Sequence, residues 1–290
     1  MYIGIDHGTT SIRFSNGCEE FKITRMEARD FRWQDLERLG PVRDIEGIAL
    51  TYSMGDAISR ITALEKVKDR GVLSQEGAGK KIGGGTRVFD QIRESALPAV
   101  LVPGLHRRSP TDPRFHAYSH QASPEKIGIV WQVFRDLGHD FVVSDVSSNT
   151  VTLLVTGGKI TGALDACIFA PGLEHGALDV QAIRDIDAGL LSANEAFLRA
   201  GVRHTLREEE RLRTIALFSA MECASLLILC PSAEVAVAGS LGPLIAGEVG
   251  SLLHRKIRVY DEWSASRGLA GIAREVFTGR RDILGIGVYM

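Results

Sequence analysis

An apolar strand that ends in aspartate and turns through small hydroxyl residues occurs twice in this chain, 139 residues apart. The first copy is Tyr2-Ile3-Gly4-Ile5-Asp6-His7-Gly8-Thr9-Thr10-Ser11; the second is Phe141-Val142-Val143-Ser144-Asp145-Val146-Ser147-Ser148-Asn149-Thr150-Val151. Asp6 aligns with Asp145, Thr9 with Ser148, Ser11 with Thr150 and Ile12 with Val151. Each copy continues as a hairpin, reaching Asn16-Gly17 in one and Gly157-Gly158 in the other, dipeptides that favour tight turns. A repeat this long is no solenoid and predicts two related domains. Such a turn gathers backbone N–H groups, hydroxyls and one carboxylate, the groups that hold a phosphate and its magnesium ion. Asp, Gly and Thr also favour turns for local reasons, so one copy alone says little. The pair says more.

With 290 residues, 44% of them hydrophobic, the chain has room for about two cores that need no metal or disulfide. A formal net charge of −2 argues against a nucleic-acid partner held by bulk electrostatics. Cys18, Cys167, Cys223 and Cys230 show no CxxC or metal-ligand spacing, and the last two read as small core residues of a helix. The chain opens directly into strand and turn, so no signal peptide is expected. The most apolar helical stretch, 214–230, is 17 residues long and contains Glu222, which suits a buried helix better than a membrane span. These features predict a cytoplasmic protein without a membrane partner.

Strand-like and helix-like runs alternate in both halves, which predicts α/β layers with mixed sheets. The expected domains are 1–137 and 138–290, joined by a helix that Ser123 caps and Pro124 opens. In the first half the spacing predicts strands at 2–6, 10–15, 20–24, 47–51 and 97–102, with helices at 56–68 and 88–95. The glycine-rich 75–86 segment carries Lys80 and Lys81 but fails the P-loop and dinucleotide spacings, leaving a lid or a solvated loop. Residues 103–124 read as a long irregular stretch with Arg107, Arg108, Arg114, His116 and His120, which points to function. In the second half, helices are expected near 179–187, 192–199, 207–230, 244–253 and 264–277, with strands at 234–238, 256–260 and 283–287. The strand at 234–238 runs into Gly239-Ser240-Leu241-Gly242-Pro243, a turn that lets another molecule approach the backbone closely.

Together these runs resemble the superfamily of actin, sugar and acetate kinases and heat-shock chaperone ATPases. The resemblance implies two ribonuclease-H-like domains around an interdomain nucleotide cleft. Residues 4–11 resemble its first phosphate motif, 145–149 its second and 238–243 its adenosine motif. The run 171–179, Pro-Gly-Leu-Glu-His-Gly-Ala-Leu-Asp, resembles a segment of butyrate-kinase-like carboxylate kinases. With 118–126 and the first motif, it is similar to the methanogenesis marker protein 12 family of archaea. Two departures stand out: His7 occupies a position where smaller residues are common, and Ser147, Ser148 and Asn149 replace consecutive glycines.

The resemblance implies ATP and Mg²⁺, with Asp6 and Asp145 holding the ion through water. Gly8, Thr9 and Thr10 would contact phosphates from one side, and Ser147 and Ser148 from the other. Gly239, Ser240, Gly242 and Pro243 would form the base-and-ribose wall. Glu174 and His175 titrate on a Pro/Gly-framed loop beside Gly172 and are candidates for a base or substrate contact, with a solvated loop the alternative. Arg107 and His120 are further substrate candidates, since a guanidinium grips carboxylate or phosphate in two places. The expected function is phosphoryl transfer to a small carboxylate or related metabolite; the alternative is an ATP-driven switch or assembly factor acting on a protein partner. A homodimer fits either.

Overall fold

Ile3 and Ile5, one residue apart on the first strand, are fully buried on one face of it, and Gly4 between them faces the other way. That alternation sets the first of two sheets. The computed structural model describes residues 1–74 and 83–290. It divides into two compact units, Met1–Arg135 with Trp263–Met290, and Asp136–Glu262.

In the first unit, β1 (Tyr2–His7), β2 (Ser11–Ser15) and β3 (Glu20–Thr24) form antiparallel hairpins. Next come β4 (Gly47–Leu50), β5 (Ile61–Ala63), α1 (Gly84–Glu94) and β6 (Ala99–Leu101); β4 pairs parallel with β1, and β6 parallel with β4. β7 (Leu105–His106) and β8 (His120–Ala122) make a small separate hairpin before α2 (Glu125–Leu137). Ile3, Ile5, Ile12, Phe14, Ile48 and Leu50 share one core with Val88, Phe89 and Ile92 of α1.

The second unit begins with β9 (Phe141–Val146), β10 (Thr150–Thr156) and β11 (Lys159–Leu164), again antiparallel. Four helices follow, α3 (Val180–Asp187), α4 (Ala193–Leu198), α5 (Val202–Thr205) and α6 (Glu208–Leu227). Then come β12 (Glu234–Ala238), α7 (Gly242–Leu253) and β13 (Ile257–Val259), with β12 parallel to both β9 and β13. The sheet order β11-β10-β9-β12-β13 repeats β3-β2-β1-β4-β6 of the first unit, with the same strand directions. The repeat read from 4–11 and 141–151 is therefore a repeat of sheets. The registers differ: Asp6 pairs with Arg13, while Asp145 pairs with Val151.

After β13 the chain returns to the first unit as α8 (Ser264–Phe277), β14 (Asp282–Ile283) and β15 (Ile286–Tyr289). The division therefore differs from the expected 1–137 and 138–290. The reason is steric fit. A side chain on Gly4 would overlap Ser266 O and Ala270 N of α8, and one on Gly128 of α2 would come within 2.5 Å of Ala265 O. Glycine on β1 and α2 lets the last helix lie directly on both.

Three further expectations change. Residues 56–68 are not a helix: Ile61–Ala63 pairs with β6 and β15, and Leu64–Lys66 is a single tight turn. Residues 103–124 are ordered by β7, β8 and a turn of 3-10 helix, Pro113–Ala117, that Asp112 caps through Arg114 N. Cys230 lies beyond the end of α6, while Cys223 is buried within it. Of the glycine-rich 75–86 segment, 75–82 lie outside the described residues, and Gly84, Gly85 and Thr86 open α1.

Candidate functional site

In the second unit the site is built where two parallel strands end. β9 delivers Asp145, β12 delivers Ala238, and the register pairs them. Asp145 is buried, and the chain past Ala238 turns through Gly239 at φ +86°, a left-handed value that glycine adopts without strain. A Cβ on Gly239 would overlap Asp145 Oδ1 and lie 2.5 Å from Ser147 Oγ. Ser240 N donates to Ser147 Oγ at 3.0 Å, and Leu241 N to Val146 O at 3.0 Å. Gly242 and Pro243 then begin α7, with Pro in the first turn, where its missing N–H costs nothing. The residues expected to hold phosphate (Asp145, Ser147) and base or ribose (Gly239, Ser240, Gly242, Pro243) thus form one continuous surface. Ser147 fastens its two halves.

The Pro171–Gly176 loop is tied to that surface by backbone. Leu173 N donates to Ser147 O, and Glu174 N and His175 N both donate to Ser148 O, at 2.9–3.1 Å. Gly172 lies against the backbone of Asn149 so closely that a side chain there would overlap it. The solvated-loop reading therefore fails. Glu174 carries its carboxylate in an ion pair with Arg203 at 2.8 Å and 3.3 Å from His204 Nε2, both residues on α5. His175 is buried, its ring stacked on Phe197 at 4.8 Å. As a base each would have to leave these contacts; what they visibly do is anchor the loop.

Behind this surface a buried polar chain crosses the unit. Ser219 Oγ of α6 bonds Ser144 Oγ at 2.9 Å, and Ser144 Oγ bonds Thr152 Oγ1 at 2.9 Å. Thr152 Oγ1 donates to Glu222 Oε2 at 2.6 Å, and Ala170 N donates to Glu222 Oε1 at 3.2 Å. Burial pushes the Glu222 carboxyl up to about 8, opposed by these two hydrogen bonds and reinforced by Asp165. A neutral acid here links α6 to the strand paired with β9 and to the residue that precedes Pro171.

In the first unit Asp6 is the last residue but one of β1, buried, with Arg13 Nη1 3.4 Å from its Oδ2. Gly8 leaves room for that guanidinium, since a Cβ would lie 2.8 Å from Arg13 Nη1. Thr9 and Thr10 are exposed at the apex. His7 is buried; its backbone N donates to Thr51 Oγ1, and its Nε2 meets Gly85 O at 3.2 Å. Burial, aided by Arg25, lowers the imidazole to about 3, so His7 is neutral.

The expected substrate arginines are engaged elsewhere. Arg107 donates to the carbonyls of His116 and Ala117, Arg108 to Asp56 O, and Arg114 grips Asp112 in two places. They brace the 103–124 segment. His120 lies across from His106 in the β7–β8 hairpin, its ring nitrogens enclosed.

No protein-family model matches the chain. A UPF0285 protein of Methanocaldococcus jannaschii is 46% identical, across 99% of this chain and 98% of its own length. The chain belongs to the UPF0285 family. Its homologues include proteins of archaeal methanogens. Among solved structures, a propionate kinase from Francisella tularensis matches with a TM-score of 0.62 at 13% identity, covering 94% of this chain and 98% of that one. A ROK family glucokinase from Streptomyces griseus, in complex with glucose and AMPPNP, matches with a TM-score of 0.55 at 14% identity, covering 94% and 99%. The chain thus shares its two-domain mixed α/β fold with these two kinases.

Sequence reasoning missed three groups of this UPF0285 chain: Arg13, Arg25 and Glu222. Arg13 and Arg25 come to the first turn only through strand register, Asp6 opposite Arg13 and Thr24 opposite Ser11. Glu222 carried a signal, a lone carboxylate in the apolar 214–230 run. Among the described residues no cluster of three or more His, Cys, Asp or Glu fits a metal, and no helix is long and apolar enough to cross a membrane.

Proposed function

We propose that this protein binds Mg-ATP and transfers its terminal phosphoryl group to a small carboxylate or related metabolite. The observation that carries the reading is the Ser147–Ser240 bond, which makes one surface of the second acidic turn and the glycine turn after β12. In the proposal Asp145, Ser147 and Ser148, the turn of the second unit, address phosphates and magnesium, and the first unit's own turn, Asp6, Gly8, Thr9 and Thr10, offers groups of the same kind. Gly239, Ser240, Gly242 and Pro243 address ribose and base. A single carboxylate in a turn suits Mg²⁺, which keeps several of its waters and needs no all-protein cage. When bound, the ion would offset phosphate charge. The chain's own part is positioning and electrostatics, which is most of what phosphoryl transfer asks of a protein. Glu174 and His175 set the Pro171–Gly176 loop, and with it the environment of Ser147 and Ser148.

A second reading is an ATP-driven switch or assembly factor working on a protein partner in methanogenic metabolism, as the resemblance to the methanogenesis marker protein 12 family suggests. It draws on α6 and its continuation, where Leu217, Met221 and Ile228 are exposed at helical spacing, Ile228 by 78%. Calorimetric titration of Mg-ATP into wild type, Asp6→Asn and Asp145→Asn, with phosphate release followed in the same samples, tests both. Binding weakened in either variant supports the reading, and release without acceptor favours the switch. A wild type that binds no Mg-ATP overturns both.

A further inference from the structure

Arg25 follows β3 and returns to the first turn, where its backbone N donates to Thr10 O at 3.3 Å. Its guanidinium is placed with care. Nε donates to Gly8 O at 3.0 Å, and Nη2 reaches His7 O at 3.5 Å. A Cβ on Gly85 would overlap Arg25 Nη1, so the start of α1 leaves the guanidinium its space. Both partners are neutral carbonyls, and among the described residues no carboxylate forms an ion pair with Arg25. The nearby acids are engaged by other cations, Asp6 with Arg13 at 3.4 Å and Glu125 with Lys126 at 3.1 Å. His7 is neutral and adds no charge. Burial lowers Arg25 from its ordinary value, against the pull of Asp6, Tyr52 and Glu125.

A largely buried cation whose hydrogen bonds go only to backbone carbonyls is costly unless an anion answers it. A guanidinium also offers a planar fork of donors that matches phosphate oxygens. We propose that Arg25 is a phosphate-contacting residue of the first turn, supplying positive charge to a polyphosphate seated at Gly8, Thr9 and Thr10. The inference rests on the proposed Mg-ATP site and names a residue that the motif does not contain. Its rival is a brace, in which Arg25 only holds the carbonyls of His7 and Gly8.

Charge and bracing separate in two variants. Arg25→Gln keeps N–H donors without charge; Arg25→Lys keeps charge without the fork. Mg-ATP, adenosine and inorganic tripolyphosphate are titrated calorimetrically into the full-length wild type and both variants. R25Q should lose about tenfold or more on Mg-ATP, as a lost charge-assisted contact does, while adenosine changes by less than about twofold. R25K, which keeps the charge but not the fork, should fall between wild type and R25Q for Mg-ATP. The inference is overturned if folded R25Q binds Mg-ATP like wild type, or if it loses adenosine and Mg-ATP equally. Should wild type bind no Mg-ATP, the proposed function fails and tripolyphosphate alone decides the inference. Weaker binding to R25Q than to wild type supports it, and equal or absent binding overturns it. If R25Q does not fold, the arginine Nε resonance that disappears in R25K must shift when tripolyphosphate is added to wild type; a stationary signal overturns the inference.

Discussion

Ser147 accepts the backbone N–H of Ser240 at 3.0 Å, a bond that spans 93 residues of sequence. It is possible because β9 and β12 are parallel neighbours that end level, Asp145 beside Ala238. Ligands of open α/β sheets gather at such carboxyl ends. The serine at this turn therefore has a structural use. Its hydroxyl oxygen receives the turn after β12, and its O–H hydrogen is left to donate.

Gly239 is the least replaceable residue of this surface. Gly239→Ala places a methyl onto Asp145 Oδ1 and forces a left-handed φ of +86° on alanine. The expected cost is about 2 kcal/mol of stability, with Mg-ATP binding reduced by about tenfold or more. Ser147→Ala removes only the acceptor of one N–H and should cost about 1 kcal/mol. Denaturant unfolding of both variants checks the order, and a Gly239→Ala protein as stable as Ser147→Ala contradicts it.

Two buried groups give stability opposite slopes with pH. Glu222 is raised from 4.5 to about 8, so its folded form holds a proton that the unfolded chain has lost. Its contribution is complete below pH 4.5 and is lost as pH rises toward 8. Between pH 6.5 and 8 this group alone of the two acts, at up to about 1.4 kcal/mol per pH unit. Glu222→Gln keeps the shape and cannot ionise. Its unfolding free energy should be flatter over that window than the wild type's, and parallel slopes would refute the assignment.

His7 supplies the other slope. Its imidazole falls from 6.5 to about 3 on folding, so stability present above pH 6.5 is lost as pH drops toward 3. Nε2 then carries the hydrogen and donates to Gly85 O. The NMR shift of the His7 Cε1 proton should stay constant from pH 8 to about pH 4. A midpoint for His7 near 6.5 would rule this out.

Local pattern carried the fold well wherever partners were near in sequence. The helix at 264–277 and the strand at 234–238 have the bounds their periodicity implied. Residues 56–68 misled because Ile58, Ile61 and Leu64, three apart, imitate a helix face. Their partners are β6 and β15, the latter more than 200 residues away, and pairing of that kind leaves no local trace. The same limit hid the site's cations. Asp6 and Asp145 announce themselves at strand ends, whereas Arg13 and Arg25 matter only once register sets them beside the turn. Arg107 shows the converse, a conspicuous arginine whose work is to hold two carbonyls of its own segment.

The return of the C-terminal segment makes the first unit depend on residues far from its start. α8 lies on β1 because Gly4 has no side chain, and Gly268 meets the backbone of Gly128 in the same way. Gly4→Ala drives a methyl into Ser266 O and Ala270 N, which are helix backbone and move only with the helix. Overpacking of this kind costs about 1–3 kcal/mol or more. Deleting Trp263–Met290 is harsher, since it uncovers the face of the sheet that carries Gly4 and Gly47 and removes β14 and β15 from its edge. Hydrogen exchange on the truncated chain should find amides of β1 and β4 unprotected, while β9, β10 and β12 of the second unit keep protection. If β1 and β4 stayed protected, the first unit would be closed by residue 135, and the contact of α8 with Gly4 would be ornament rather than foundation.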